Sequence, residues 1–374
     1  MTGSDGDGAA TEAYAQAGVD YAVLDGAKRA ALSAAAATLD LPAARGASVL
    51  AESVGEPAAL VDLGGRHLAV VLECLGTKST VALEVDEALG LDRFADVGVD
   101  AVAAIVNDLC CVGAVPLTLN AYFATGSSRW YAGRRHESLV SGWARACVEA
   151  GAAWVGGESP TLAGIVAPEG IDIAGSALGV VPAGAEPWLG SALGPGDEIV
   201  LVASSGLHAN GASLARHLAG ELPDGWATEL PSGRLFGEAV LDPSVVYVKL
   251  VEALQRLEGA PVRYASHVTG HGFRKVMRAP REVSYRITDV PPVPEVLEFI
   301  AARKGLSPKE AYGTFNQGAG LALFTAPGRA ADVVAAASGL GYGALAAGQV
   351  EDGPRRVVIE PVGVSFASNE LLLR

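Results

Sequence analysis

Six short clusters in the sequence combine glycine with groups that hold phosphates or metal ions. The first is Glu73-Cys74-Leu75-Gly76-Thr77-Lys78, which follows an apolar run. Gly76 lets backbone approach a phosphate closely. Thr77 offers a hydroxyl, Lys78 a compact positive charge and Glu73 a carboxylate for a divalent cation. The spaced first glycine of a Walker A loop is missing. Taken alone, the Gly-Thr-Lys tripeptide reads better as a turn with an exposed lysine. The second cluster sets Asp100 against Asn107-Asp108. Asp100 and Asn107 are seven residues apart, so they share one helical face with Asp108 beside them. Carboxylates in so apolar a helix need partners. Magnesium coordination and a buried polar network meet that need equally well.

The remaining clusters are turn-like. Gly156-Gly157-Glu158-Ser159 follows a strand and suggests a tight turn presenting Glu158. Residues 204–211, Ser-Ser-Gly-Leu-His-Ala-Asn-Gly, lie between a strand and a helix, where backbone amides favour anions. There His208 and Asn210 are placed to contact a substrate, although capping of the helix explains Asn210 as readily. His267-Val268-Thr269-Gly270-His271-Gly272-Phe273 has two histidines four apart, but the glycines between and beside them disfavour a helical metal-ligand pair. Thr314-Phe315-Asn316-Gln317-Gly318-Ala319-Gly320 is a polar turn into a strand.

The elements that must position these groups read as a layered α/β fold. Helices are expected over residues 25–38, 99–112, 137–150, 245–257 and 293–304, and from Ala212. Strands are expected over 68–72, 116–123, 153–155, 171–181, 198–202, 282–287 and 320–325, with a last helix and strand in 330–359. Residues 182–196 hold four glycines and three prolines with little periodicity, which suits a domain junction. The resulting division is a disordered tail at 1–13, a first domain at 14–185 and a second at 186–374. Two domains is also what 374 residues suggest. Half of the residues are hydrophobic, enough for buried cores.

Composition removes several classes of partner. A net charge of −15 makes nucleic acid and anionic membranes poor partners. No apolar run reaches the length of a membrane span. The opening residues lack the basic and apolar regions of a signal peptide. Four cysteines without a Cys-x-x-Cys pair suit a reducing, cytoplasmic compartment.

Each cluster is weak alone, but their order is not. Gly-Thr-Lys, Val-Asn-Asp-Leu, Gly-Gly-Glu-Ser, Ser-Gly-x-His-x-Asn-Gly, Thr-Gly-x-Gly-Phe and Thr-Phe-Asn-x-Gly-x-Gly together resemble the aminoimidazole ribonucleotide synthetase family, the phosphoribosylformylglycinamidine cyclo-ligases. The segments 14–20 and 242–249 are similar to that family as well, so the likeness covers nearly the whole chain. The resemblance implies a two-domain fold. The N-terminal domain would give strands to a β-barrel shared across a homodimer, and the C-terminal domain would be an α/β sandwich. It implies ATP and Mg2+ as cofactors, a phosphorylated ribonucleotide as substrate, and ring closure after phosphorylation of a formamide oxygen.

The resemblance also assigns residues. It places Gly76, Thr77, Lys78, Asp100, Asn107, Gly156 and Gly157 at ATP. Glu158, Ser159, His208, Asn210, Gly211, Thr269, Gly270 and Asn316 would meet the substrate. Glu73, Asp108 and Glu158 would hold metal, and Lys78, Asp108 and His208 would act in catalysis. The chain departs from the family pattern at Glu73, where the family has Asp, and at Cys74, where it has Gly. Residues 159–164 lack the usual second carboxylate, His271 replaces the middle of three glycines, and Val245 replaces Arg. These departures bear on the acceptor substrate. Related ATP-dependent enzymes make selenophosphate, phosphorylate thiamine phosphate or dehydrate a carbamoyl group. Selenophosphate synthesis would want a reactive Cys near the N-terminus, and none precedes Cys74.

Overall fold

The computed structural model describes residues 21–371; the expected tail at 1–13 and the segment 14–20 lie outside them. The first half of the chain forms β1 (Ala47–Val49), β2 (Ala59–Leu63), β3 (His67–Cys74), β4 (Val115–Thr125), β5 (Ala153–Glu158) and β6 (Ile171–Val180). They make one mixed sheet in the order β1-β2-β3-β6-β4-β5, in which only β4 and β5 run parallel. The second half forms β7 (Glu198–Ala203), β8 (Val262–His267), β9 (Val283–Ile287), β10 (Ala319–Thr325), β11 (Ala344–Asp352), β12 (Arg356–Ile359) and β13 (Val364–Ala367). Their order is β13-β12-β9-β11-β7-β10-β8.

Helices α1 (Tyr21–Ala35), α2 (Lys78–Leu89), α3 (Phe94–Cys111) and α4 (Arg134–Glu149) belong to the first half. Helices α5 (Ala212–Glu221), α6 (Val248–Gln255), α7 (Glu295–Lys304) and α8 (Ala330–Gly339) belong to the second. The two sheets are covered differently. Every residue of β10 is buried, and its side chains alternate between two apolar cores. That is the pattern of a strand covered on both faces. The first sheet is covered on one face, by α3 with α4 behind it. Its other face leaves Leu72 74 %, Val70 44 % and Leu117 44 % exposed.

Helix α3 links the halves. It is apolar on most of its surface, packs on β3 and β6, and also meets β8 and α6 of the second half. A helix buried all round must have neighbours all round. The apolar core that surrounds it is accordingly continuous across both halves.

Several elements differ from the expectation. The first helix spans Tyr21–Ala35 rather than 25–38 and ends in a 3-10 turn. Helix α2 follows the Gly-Thr-Lys segment, where no helix was expected. Its buried positions Lys78, Val81, Ala82, Val85 and Asp86 have helical spacing, but two of them are charged and hide the apolar period. The helix expected at 245–257 begins at Val248, because Asn107 holds the backbone of Val245 and Tyr247 in a non-helical path. Gly156-Gly157-Glu158 is not a tight turn but the end of β5. A Cβ on Gly157 would lie 1.9 Å from the carbonyl oxygen of Ala121, so the glycine serves close strand pairing. Strands β1, β2, β8 and β13 were not foreseen, and the single strand expected within 330–359 is two, β11 and β12.

Asp86 fixes α2 against α4. Its carboxylate, shielded from solvent, accepts bonds from Arg134 and from Arg135 Nε at 2.6 Å. Burial alone would raise its pKa, but the bonds from Arg135 and Arg134 outweigh burial and hold it below the ordinary carboxylate value. A depressed pKa contributes stability above the unfolded value, about 3.9, and that contribution is lost as the pH falls further. Asp86→Asn is therefore expected to lower stability at pH 7 by about 1–3 kcal/mol, with the gap to wild type closing below about pH 4. Urea denaturation at both pH values reads this, and equal stability at pH 7 would remove the role given to Asp86.

Candidate active site

The site lies where α3 meets the second half of the chain, and a buried polar seam holds it there. Lys78, on the first turn of α2, points inward. Its ammonium is 2.7 Å from Asp100 Oδ2 and donates to the carbonyl of Asp242 at 3.0 Å; neither side chain of the ion pair is exposed. The other oxygen of Asp100 accepts from the amide of Ser244 at 2.9 Å and from its hydroxyl at 2.5 Å. Two turns along α3, Asn107 donates to the carbonyl of Val245 at 2.8 Å and accepts from the amide of Tyr247 at 2.9 Å. Burial pushes the pKa of Asp100 up, while Lys78 and Ser244 favour its charged form. The seam therefore satisfies almost every polar group that the apolar helix carries inward.

Beside the seam is a cleft of about 230 Å³. Glu73 comes from the end of β3 and Asp108 from α3, and they face one another across the covered side of the sheet. Burial first, then the charge of Asp108, pushes Glu73 up to about 7. Asp108 moves the other way. Burial opposes its charge, but a 3.0 Å contact with His267 Nδ1 and the nearby Lys275 and Arg278 hold its pKa down. Two carboxylates pushed apart in this way mark a place where a cation is favoured.

His208 forms another wall, with a left-handed backbone at φ 57°. Its Nε2 accepts from the amide of Ser205 at 3.3 Å. Burial, with the charges of His267 and Lys78, pushes its pKa well below the ordinary histidine value, so it is neutral at physiological pH. Gly320 makes room for it, since a Cβ there would sit 2.9 Å from His208 Cε1.

The expected site residues divide into three groups. Glu73, Asn107, Asp108, His208, Asn210, Thr269 and Gly270 converge on the cleft. Lys78, Asp100 and Asn316 are taken up by the scaffold instead. Asn316 bonds Ser204, Gly206 and Gly318 and so shapes the loop that carries His208. Gly211 has the same kind of role: it caps α5 at φ 102°, and a Cβ would meet Phe315 at 2.5 Å. The third group lies away from the cleft. Gly76 and Thr77 are exposed at the start of α2, where the Thr77 hydroxyl lies 2.8 Å from that of Ser213. Gly156, Gly157, Glu158 and Ser159 sit on or beyond the outer strand β5, and Glu158 opens on the uncovered face of the sheet with Leu72 and Tyr122. Strand alternation thus puts Glu158 and Glu73 on opposite faces, and no group of three metal-binding side chains forms among the described residues.

Sequence reasoning did not assign His267, Lys275 or Ser244. His267 stood in a quoted motif, but its partner Asp108 is 159 residues away. Lys275 follows the motif and looks like any lysine in a turn.

Comparison with known proteins places the whole. Residues 55–181 match the N-terminal domain, and residues 194–360 the C-terminal domain, of AIR synthase related proteins. The chain belongs to the AIR synthase related family. Within this family, it is 37 % identical over 286 residues to a protein of Anaeromyxobacter sp. (strain Fw109-5) named phosphoribosylformylglycinamidine cyclo-ligase, covering 75 % of this chain and 81 % of that one. A protein of the same name from Pyrococcus furiosus is 32 % identical over 354 residues, 94 % of this chain and 99 % of that one. The fold is shared with the hydrogenase maturation protein HypE in complex with ATP, at a TM-score of 0.57 and 22 % identity over 83 % of this chain and 86 % of that one.

The AIR synthase related fold here uses Lys78 as an internal counter-ion. Lys78→Ala should cost about 3–5 kcal/mol, because it strands the Asp100 carboxylate. Pairing it with Asp100→Asn should recover a good part of that loss, measured as coupling in a double-mutant cycle. A Lys78→Ala variant with wild-type stability and collapsed ATP affinity would return the lysine to a phosphate.

Proposed function

We propose that this member of the AIR synthase related family is a phosphoribosylformylglycinamidine cyclo-ligase. It uses ATP to close formylglycinamidine ribonucleotide into aminoimidazole ribonucleotide, with ADP and phosphate released, in purine biosynthesis. The observation that carries this is the likeness to cyclo-ligases at 32 % identity over 94 % of the chain. The charge-paired cleft formed by the family's two domains supports it.

The chemistry suits the cleft. The γ-phosphoryl of ATP passes to the formyl oxygen, which turns a poor leaving group into a good one. An internal nitrogen then attacks the activated carbon, the carbon–oxygen bond to phosphate breaks, and the ring closes. Positioning and charge neutralisation supply most of the rate in such transfers. Glu73 and Asp108 are the residues that would hold Mg2+, which when bound neutralises phosphate charge. Two carboxylates leave the other positions to phosphate oxygens and water, as magnesium prefers. His267 fixes the orientation of Asp108. His208, kept neutral, and Asn210 offer the substrate hydrogen bonds without adding charge.

The uncovered face of the first sheet fits a homodimer. Exposed Val70, Leu72 and Leu117 form an apolar surface of the kind that marks an interface, and closing it against a second copy would complete a shared barrel. We place the domain boundary at 185/186, between the two family matches. The four cysteines are unbridged, in keeping with a reducing, cytoplasmic setting, and no helix of the described residues is long and apolar enough to cross a membrane.

Purified protein given formylglycinamidine ribonucleotide, ATP and Mg2+ should release ADP and an aminoimidazole seen by colour reaction. Asp108→Asn and Glu73→Gln should each lower kcat/KM by about 100-fold or more. No product from a protein that binds ATP normally would move the acceptor to another small molecule. Wild type should elute as a dimer on gel filtration and Leu72→Asp as a monomer, since a charge on a buried apolar face is costly. A monomeric wild type would remove the shared barrel.

A further inference from the structure

The cleft needs a positive charge that its expected lysine does not supply. Phosphate at the Glu73–Asp108 pair is an anion brought to two carboxylates, and a cation on the far side would complete the balance. Lys78 faces inward on Asp100 and does not line the cleft. Among the described lining residues the single lysine or arginine is Lys275. We infer that Lys275 is the cation that binds the transferred phosphoryl group in this site, lining the same cleft as the two carboxylates. This rests on the ATP-dependent reading above.

Three observations carry the inference. First, the backbone of Lys275 is locked. Its carbonyl accepts the Ser266 hydroxyl at 2.7 Å. The 3-10 turn that contains it, Gly272–Met277, is pressed so close to the chain that a Cβ on Gly272 would lie 2.1 Å from the carbonyl of Tyr312. Second, the neighbouring cation is committed elsewhere. Arg278 bonds Glu56 at 3.2 Å and the carbonyl of Gly55 at 2.7 Å. Third, the Lys275 ammonium donates no hydrogen bond and makes no ion pair among the described residues, although the charges of Glu73 and Asp108 both act on it. Burial and the field of Arg278 hold its pKa down to about 8, the response of a cation that an incoming anion would relieve. A locked, partly desolvated ammonium without a partner is suited to a ligand oxygen.

Lys275→Met and Lys275→Arg test this, each checked for a wild-type melting curve. Calorimetry with Mg2+ compares a non-hydrolysable ATP analogue with ADP, and steady-state kinetics gives KM for the ribonucleotide. We expect Lys275→Met to weaken the analogue by about 10- to 100-fold while ADP changes little, and Lys275→Arg to keep part of the affinity. If analogue binding holds and KM for the ribonucleotide rises by a similar factor, the lysine meets the substrate's own phosphate instead, and its role at the transferred phosphoryl group is overturned. Unchanged nucleotide binding with unchanged KM overturns the inference. A wild type that binds no nucleotide overturns the ATP reading along with it, whereas equal binding by wild type and Lys275→Met overturns the lysine's role alone.

Discussion

The arrangement of this molecule depends on one buried ion pair, Lys78 with Asp100. An ammonium and a carboxylate with no exposure are costly to bury, and their attraction offsets that cost only when every other lone pair and proton is also satisfied. Here the satisfying groups come from the other half of the chain: the amide and hydroxyl of Ser244 and the carbonyl of Asp242. The pair therefore cannot be complete unless the halves are in register. Asn107 repeats the device two turns along the same helix with Val245 and Tyr247. An apolar helix would bind its neighbours in many registers. Charged and amide groups with fixed partners select one.

That selected register is what creates the cleft. Glu73 belongs to the first sheet, Asp108 to α3, and His267 and Lys275 to the second half. Apart from His267 and Lys275, which share one loop, none of these is near another along the sequence. The opposite shifts of Glu73 and Asp108, one up and one down, arise because the seam brings them into one half-buried space while His267 supports only Asp108. The electrostatics of the site are thus a product of the packing of α3, not of any local motif.

This explains which parts were legible in the sequence. Apolar runs such as 68–72 and 320–325 announce buried strands, and the order of six weak clusters announces the family. Asp108, His208 and Asn210 come from clusters whose local turn or helix already points them at the cleft. Lys78 is a different case. A lysine after a glycine turn has the local signature of a phosphate contact, and only the location of Asp100, on the next helix, turns it inward. The same burial hid helix α2, because Lys78 and Asp86 interrupt its apolar face with charges that are themselves buried. Glu158 was displaced by period two: Gly156 and Gly157 continue β5 instead of turning, and the carboxylate follows the strand to the open face. Lys275 carries no local signal, since only the packing of the second half against β3 and α3 brings it into the cleft.

The uncovered sheet face and the cleft are consequences of the same layering. Helix α3 can cover one face of the first sheet only, because its other sides are occupied by α4, β8 and α6. Residues of β3 therefore point alternately at the catalytic candidate side, as Glu73 does, and at the open side, as Val70 and Leu72 do. A single strand thus carries the carboxylate that would hold metal on one face and exposed apolar side chains on the other, at the adjacent positions Glu73 and Leu72. A second copy closing over Leu72 would stiffen the strand that presents Glu73. That couples assembly to the geometry of the site through the pleat alone, with no side chain of the partner needed in the cleft.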